Sequence, residues 1–406
     1  MGRETDVLII GGGLVGASLA CALGQAGLRV TIVEASPFTV DQQPNYDERS
    51  IALAQGSQRI FAGLGLWSAL QDHVCPIHTI HVSDRGHFGF TRLRREEEGV
   101  PALGYVATAR TLGKALLERL AELDNVEVLA PAQLVDFLVT GDIVQAGLLV
   151  DGKTVDYTAK LLVAADGAQS SIREQLGIKT TQRDYGQTAI IANVSTDRPH
   201  HNVAYERFTD SGPMALLPMT EQRSALVYTV RTAQADAVMA LDDAAFLAQL
   251  QERFGYRLGR FLKTGQRYAY PLFLLRAGES MRPRLALIGN AVHTLHPVAG
   301  QGFNLGLRDV AAMAEVVMDA QRNGRDIGGS MVLENYAEMR KADQRRVALF
   351  TDGMVRLFSQ PLPPLVWLRD TGMLALDFCP PAKRWFGRLT MGRSGRLPRL
   401  ARGLEL

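Results

Sequence analysis

The reading of this chain turns on Asp6-Val7-Leu8-Ile9-Ile10-Gly11-Gly12-Gly13-Leu14-Val15-Gly16-Ala17-Ser18-Leu19-Ala20. A short apolar run stops at a glycine cluster, and small and apolar residues then continue at helical spacing. The pattern predicts a strand, a tight turn and a helix, with Gly11, Gly13 and Gly16 in the G-x-G-x-x-G positions. The first glycine permits the turn, the second lets backbone approach a pyrophosphate, and the third lets the helix pack close to the strand. The helix N-terminus offers free N–H groups and positive dipole to the anion. A second predicted strand, Arg29-Val30-Thr31-Ile32-Val33, ends in Glu34, about 20 residues on, where an acid takes ribose hydroxyls. A glycine-rich turn in an unrelated α/β protein would not require that acid.

A chain of 406 residues has material for two to three domains and a large core. Its 44 Lys+Arg against 42 Asp+Glu argue against an overall polyanion binder, so no nucleic acid is expected. Cys21, Cys75 and Cys379 lie far apart, with no CxxC or Cys/His spacing. Neither a disulfide framework nor a metal site is expected, and a cytoplasmic location is the default. The glycine cluster interrupts what would otherwise resemble a signal peptide, and no stretch of 18 uninterrupted apolar residues predicts a transmembrane helix.

Ala35 to Asp47 reads as a polar loop. Arg49 precedes a helix-like run, with helical spacing from Ser57 to Leu70, and would meet a phosphate or flavin edge or else lie on the surface. Residues 77–93 alternate as strands; His78, His81 and His87 share no metal-ligand spacing with carboxylates. An amphipathic helix over Arg110–Leu120 and a small β-meander over 133–158 lead into an apolar strand ending at Asp166-Gly167. In a doubly wound layout this end shares a rim with Gly11. Strand-like runs at 189–194, 203–208, 214–219 and 224–230 predict an antiparallel sheet, followed by a helix from about Asp242 to Phe254. The strand-then-glycine style returns at 284–290. Gly300 and Gly302 then precede a helix running to about Asn323, with Gly324 as its stop, a second place where backbone N–H groups face an anion.

Three ordered motifs, the G-x-G-x-x-G with its acid, Asp166-Gly167 and Gly289-Asn290, resemble those of the class A flavoprotein aromatic hydroxylases, which fold like p-hydroxybenzoate hydroxylase. The resemblance covers about residues 5–345. Within that family, Asp47-Glu48-Arg49-Ser50-Ile51-Ala52-Leu53, Val82-Ser83-Asp84-Arg85-Gly86-His87, Ala204-Tyr205-Glu206-Arg207-Phe208-Thr209 and 294–306 look like the ubiquinone-biosynthesis hydroxylases, most of all those acting on a 2-polyprenyl-6-methoxyphenol.

The resemblance implies an α/β fold: a doubly wound, Rossmann-like FAD-binding domain, an inserted antiparallel-sheet substrate domain and a helical C-terminal region. The FAD-binding domain would take 1–76, 101–177 and 272–345; substrate-domain strands 77–100 and the sheet 178–271 would alternate with it; a basic helical region would take 346–406. It implies FAD, with NADPH or NADH as co-substrate and O2. Gly11, Gly13 and Gly16 would face the FAD pyrophosphate, Glu34 the adenosine ribose, and Arg49 and Arg110 the length of the cofactor. Asp166, with Gly167, would hold the pyrophosphate region and is associated with the nicotinamide cofactor; Gly300 and Gly302, with Asn304 in the same motif, would line the flavin ring, and Pro297 would lie over it near the substrate. The third motif usually begins Gly-Asp. Asn290 keeps an acceptor oxygen and loses the charge.

Hydroxylation is then cofactor chemistry on an electron-rich ring, helped by the helix N-terminus near Phe303, which stabilises negative charge. His296 would either assist deprotonation of the phenol or be structural; Tyr205, Arg207 and Met219 are candidates for the substrate side. No Ser/His/Asp or paired-carboxylate arrangement stands out, and no second G-x-G-x-x-G appears, so the nicotinamide has no Rossmann domain of its own. From Lys383 to Arg402 there are seven basic residues and no acidic one, beside Trp385 and Phe386. This fits an anionic membrane surface, a solvated tail or a subunit contact. A peripheral position at the inner face of the membrane, other ubiquinone-biosynthesis proteins and a second copy of the chain are therefore candidate associations. The alternatives to a 2-polyprenyl-6-methoxyphenol hydroxylase are another ring hydroxylase of the same pathway, an FAD dehydrogenase or prenyl reductase that does not use O2, and a flavin-bearing scaffold.

Overall fold

The apolar run Val7–Ile10 forms the end of a strand, Arg3–Ile10, buried on both faces as a parallel strand between helices must be. In the computed structural model, which describes residues 2–44, 47–360 and 362–406, this strand is the centre of the first sheet. Asn45 and Tyr46, in the loop expected over 35–47, and Pro361, in the C-terminal region, lie outside the described residues. Val30–Val33 and Lys153–Ala164 pair with the central strand in parallel, and Val126–Leu129 and Leu285–Leu287 extend the parallel set outward. The register sets Ile10 opposite Val33 and Ala164, and Ala164 opposite Leu287. Gly11, Glu34, Ala165 and Ile288 therefore emerge side by side on one rim, where ligands bind in such sheets. The helices Leu14–Gln25 and Gln301–Arg322 pack against each other and share one core, with Ala17, Ala20, Val310 and Ala314 fully buried.

The second sheet has nine strands. The runs expected to pair antiparallel do so: Thr180–Thr196 with Arg223–Arg231, that strand with Gly212–Pro218, and Gly212–Pro218 with Val203–Thr209. One pair differs, because Val203–Thr209 runs parallel to Thr79–Asp84. More than a hundred residues separate these strands, so no tight turn imposes antiparallel pairing. The helix Asp243–Phe254 covers one face through Phe246, Leu250 and Phe254, packed on Tyr228.

Three local expectations change. The residues after Arg49 are a strand, Ser50–Ala54, paired with Gly104–Thr108, before the helix Gln55–Gly63 begins. The helical run to Leu70 breaks after Gly63, with Gly65 at φ 74° and a short helix, Trp67–Leu70, beyond. One helix, Ser330–Ser359, runs through the boundary expected at 345/346. The chain end is not a free tail: Arg399–Arg402 packs on the helices Gln55–Gly63 and Gln301–Arg322, burying Leu400 and Ala401. Among the described residues, no helix is long and apolar enough to cross a membrane.

Candidate active site

A cleft of about 880 Å³ runs along the carboxyl rim of the first sheet. Gly11 turns the chain at φ 106°, and a Cβ there would lie 2.5 Å from the Ala165 carbonyl oxygen. Gly16 does not line the cleft. It holds the helix to the turn, since a Cβ would fall 1.9 Å from the Gly11 carbonyl oxygen. Gly13 caps the helix without a side-chain hydrogen bond, which leaves the first-turn N–H groups to an anion. Glu34 is buried in the adjoining wall, where its oxygens accept the Gly12 N–H at 2.7 Å and the Ser36 N–H at 2.9 Å. A carboxylate fixed at both oxygens still has lone pairs for ribose hydroxyls.

Asp166 faces the cleft with Oδ2 against Ser171 and the Ile172 N–H, while its buried Oδ1 has no partner. Ser50 Oγ and Thr294 Oγ1, in the same walls, are also buried without partners. A Cβ on Gly167 or Gly302, both in the lining, would meet nothing within 4 Å. Orphaned acceptors, an uncapped helix and glycine-lined space together fit a long polar dinucleotide. Asn290, Pro297 and Gly300 also line the cleft, and Gly300 caps the helix Gln301–Arg322 at φ 59° with no side-chain cap. Arg49 reaches it with Nε 2.8 Å from Asp47 and its guanidinium over the Tyr270 ring. Arg110 is not brought there. It pairs with Asp41 and Glu48 and borders a separate surface depression together with Met219.

A second, small apolar cavity of about 90 Å³ lies across the Val298–Gly300 turn. Asn304 stands between the two spaces with every polar valence used. It accepts from Ala54 N–H and Ser57 Oγ–H and donates to the Ala52 and Gly300 carbonyls, so it ties the Ser50–Ala54 strand to the glycine loop. Tyr205 and Arg207 do not face this cavity. Strand alternation turns them to the opposite face, where Tyr205 packs on His81 and Phe254, and sends Glu206 and Phe208 inward instead. His296 lines neither space: it is fully buried, accepts the Val298 N–H at Nδ1 and lies 3.3 Å from Gln187 Oε1. Burial pushes its imidazole down to about 4, so it is neutral.

Two residues escaped the sequence reading. Glu206 carries the one carboxyl in the apolar cavity. Asp309, fully buried, accepts the Gly289 N–H and so fixes the turn that presents Asn290. The signal for Asp309 was present: Arg308-Asp309 interrupts the apolar run 305–314 of a buried helix. Glu206 gave none, because an acid in an alternating strand usually faces solvent.

Residues 4–351 match the family described as FAD binding domain. The chain is 41% identical to ubiquinone hydroxylase UbiL of Rhodospirillum rubrum over 100% of its own length and 94% of that relative. It is 32% identical to the 3-demethoxyubiquinol 3-hydroxylase of Escherichia coli, over 96% of this chain and 99% of the other. Among solved structures, p-nitrophenol 4-monooxygenase PnpA of Pseudomonas putida has the same fold, with a TM-score of 0.81 over 98% of this chain and 100% of that one, at 18% identity.

Proposed function

This chain belongs to the FAD binding domain family as an FAD-dependent, NAD(P)H-using aromatic-ring monooxygenase, and we propose that its substrate is a polyprenylated phenol of ubiquinone biosynthesis. The observation that carries the substrate reading is the apolar cavity beside the flavin cleft, small enough to hold one aromatic ring and set next to the cleft across Asn304 and the Val298–Gly300 turn. Within that class, the acceptor we propose is a 2-polyprenyl-6-methoxyphenol, converted to the 1,4-benzoquinol.

FAD, when bound, supplies the activation of O2 and the transfer of one oxygen atom to the ring. The chain's own residues bind, orient and seal. Backbone N–H groups after Gly13 take the pyrophosphate, and Glu34 accepts from the ribose. The uncapped N-terminus of the helix Gln301–Arg322 sets positive dipole at one end of the cleft and would stabilise negative charge on a bound flavin. Pro297 and the turn behind it, which line the cleft and the cavity, would hold the ring near a bound flavin. Phe208, Val298, Phe350 and Phe386 give the cavity an apolar lining that disfavours water beside the ring.

The prenyl chain favours a lipid-side position. Trp367, Leu368, Phe378 and Trp385 stand exposed on the helices Pro363–Phe378 and Pro380–Thr390, with Arg384 and Arg388 exposed nearby. Lys383 is spent on Glu97 and Asp377 and adds nothing to that surface. Exposed aromatic and basic groups on adjoining helices suit the interface of an anionic bilayer, and we infer a peripheral contact there.

The test is aerobic incubation of the holoenzyme with NADPH and a short-chain 2-prenyl-6-methoxyphenol. The expected result is O2 uptake and a product heavier by one oxygen, with the new hydroxyl located by NMR. Reoxidation without incorporation would favour the dehydrogenase alternative, and a hydroxyl at another position would move the enzyme to a different ring step.

A further inference from the structure

The apolar cavity holds one ionisable group. Glu206 enters from the strand Val203–Thr209, and the other elements around the cavity present apolar side chains apart from Gln301, Asn304 and Thr390. None of these elements turns a cation, a histidine or a second acid into the space. Among the described residues, Glu206 forms no ion pair. Its carboxylate lies close to the backbone N–H of Ala299, which partly offsets its desolvation; Ala299 stands at φ 56°, ψ 17° in the turn between the cavity and the flavin cleft. A non-glycine residue in that conformation costs roughly 1–2 kcal/mol, so the surrounding structure keeps this strained turn pressed against the acid. A half-buried carboxyl set among apolar side chains, with one neutral N–H beside it and no counter-charge, is a poor structural choice. It is a good one for a group that must gain and lose a proton.

We propose that Glu206 is a catalytic base, taking the hydroxyl proton of a phenol bound in the apolar cavity so that the ring is oxygenated as its phenolate. The inference rests on the ring-hydroxylase reading above. The phenol O–H bond breaks, the proton passes to a Glu206 carboxylate oxygen, and the electron pair stays on the phenol oxygen, from which it feeds the ring carbons ortho and para. Oxygen transfer itself remains the family's flavin chemistry, and the carboxylic acid returns its proton to solvent once the product leaves. Burial among apolar groups, only partly offset by the Ala299 N–H, pushes the carboxyl up to about 7. That lifts it toward the phenol's value of about 10 and makes it a stronger base than a solvated carboxylate. Gln301 Oε1, buried in the same wall without a partner, is a second acceptor for a ring substituent.

The experiment uses the FAD-loaded enzyme and three probes: 2-prenyl-6-methoxyphenol, its methyl ether and a ring-fluorinated, more acidic analogue. With oxidised flavin and no nicotinamide, wild-type affinity for the phenol is expected to tighten as pH rises through about 7 while the methyl ether shows no such change; Glu206→Gln abolishes the tightening. In turnover, E206Q lowers kcat about 100-fold or more, and the loss shrinks for the fluorinated phenol, which ionises without help. Glu206→Asp, a shorter reach with the same chemistry, keeps the pH-dependent binding with an intermediate kcat and serves if E206Q fails to retain FAD. Wild-type binding indifferent to pH, or E206Q with kcat within threefold of wild type, overturns the base assignment. So does an equal loss on both phenols. A wild-type enzyme that oxygenates no phenol at all instead overturns the reading on which it rests.

Discussion

The Gly289 N–H donates to Oδ2 of Asp309 over 3.0 Å, from the cleft rim into the middle of a buried helix. The same carboxylate meets His293 Nε2 at 2.7 Å, Arg340 Nε at 2.7 Å and Gln344 Nε2 at 3.0 Å. Burial alone would raise this carboxyl; His293 and Arg340 outweigh it and hold it well below the usual carboxylate range. The turn that presents Asn290 is thus anchored by a charge one layer below the cleft.

Asp309→Asn removes that charge while Arg340 stays fully buried beside it. Breaking a buried pair on one side typically costs about 3–5 kcal/mol. The variant is expected to unfold at lower denaturant and to release FAD more readily than wild type, read by equilibrium denaturation and flavin fluorescence. Unchanged stability would show that Asp343, which also meets Arg340 at 2.8 Å, carries the charge alone.

Gly16→Ala tests a packing role distinct from cofactor contact. The added carbon would sit 1.9 Å from the Gly11 carbonyl oxygen, and that backbone cannot move without opening the turn. Purified G16A should be colourless and stable mainly as apoprotein. Gly302→Ala, whose Cβ meets nothing within 4 Å of protein, should fold normally and lose only flavin affinity, since the carbon projects into the cleft. Flavin content and Tm measured on the two variants separate the cases.

The first sheet and its rim were legible in the sequence because both depend on short-range signals. An apolar run ending in glycine fixes a strand end and a helix start together at Gly11; Glu34 and Asp166 each follow the end of an apolar strand, and Gly300 caps a helix. Side-chain direction was less legible. Tyr205 and Arg207 differ from Glu206 by one residue, and only the pairing of their strand with Thr79–Asp84 decides which face meets the cavity. Arg110 begins a helix as expected, but Asp41 and Glu48, from a loop without periodicity, hold it off the cleft. The basic run after Lys383 read as one patch; folding divides it, pairing Lys383 and Arg399 with acids and leaving Arg384 and Arg388 in solvent.

His296 makes stability pH-dependent. Its folded value is about 4 and its ordinary value 6.5. Between these the unfolded chain binds a proton that the folded chain excludes, so stability falls as pH drops from about 6.5 to about 4 and is unaffected above 6.5. At about 1.4 kcal/mol per unit the full effect is on the order of 3 kcal/mol. His296→Gln should flatten that part of the denaturation free energy against pH, whereas catalysis at pH 8, where the imidazole is neutral in either state, should change little if the residue is structural.

The exposed aromatics of the C-terminal helices make a separate prediction. Trp367 and Trp385 are 64% and 63% exposed and Phe378 is 80% exposed, an unusual display for side chains that each bury some 150–250 Å² in a core. At about 25 cal/mol per Å², seating even half of one tryptophan in an interface contributes about 2 kcal/mol, or a factor of roughly 30 in partition. Wild-type protein should co-sediment with vesicles containing anionic phospholipid. Trp367→Ala/Trp385→Ala should weaken this by an order of magnitude or more, and neutral vesicles or high salt should weaken it through loss of the Arg384 and Arg388 attraction. If the double variant partitions like wild type while remaining folded and yellow, the aromatic face serves something other than lipid, and turnover of a long-chain phenol presented in those vesicles should be unaffected as well.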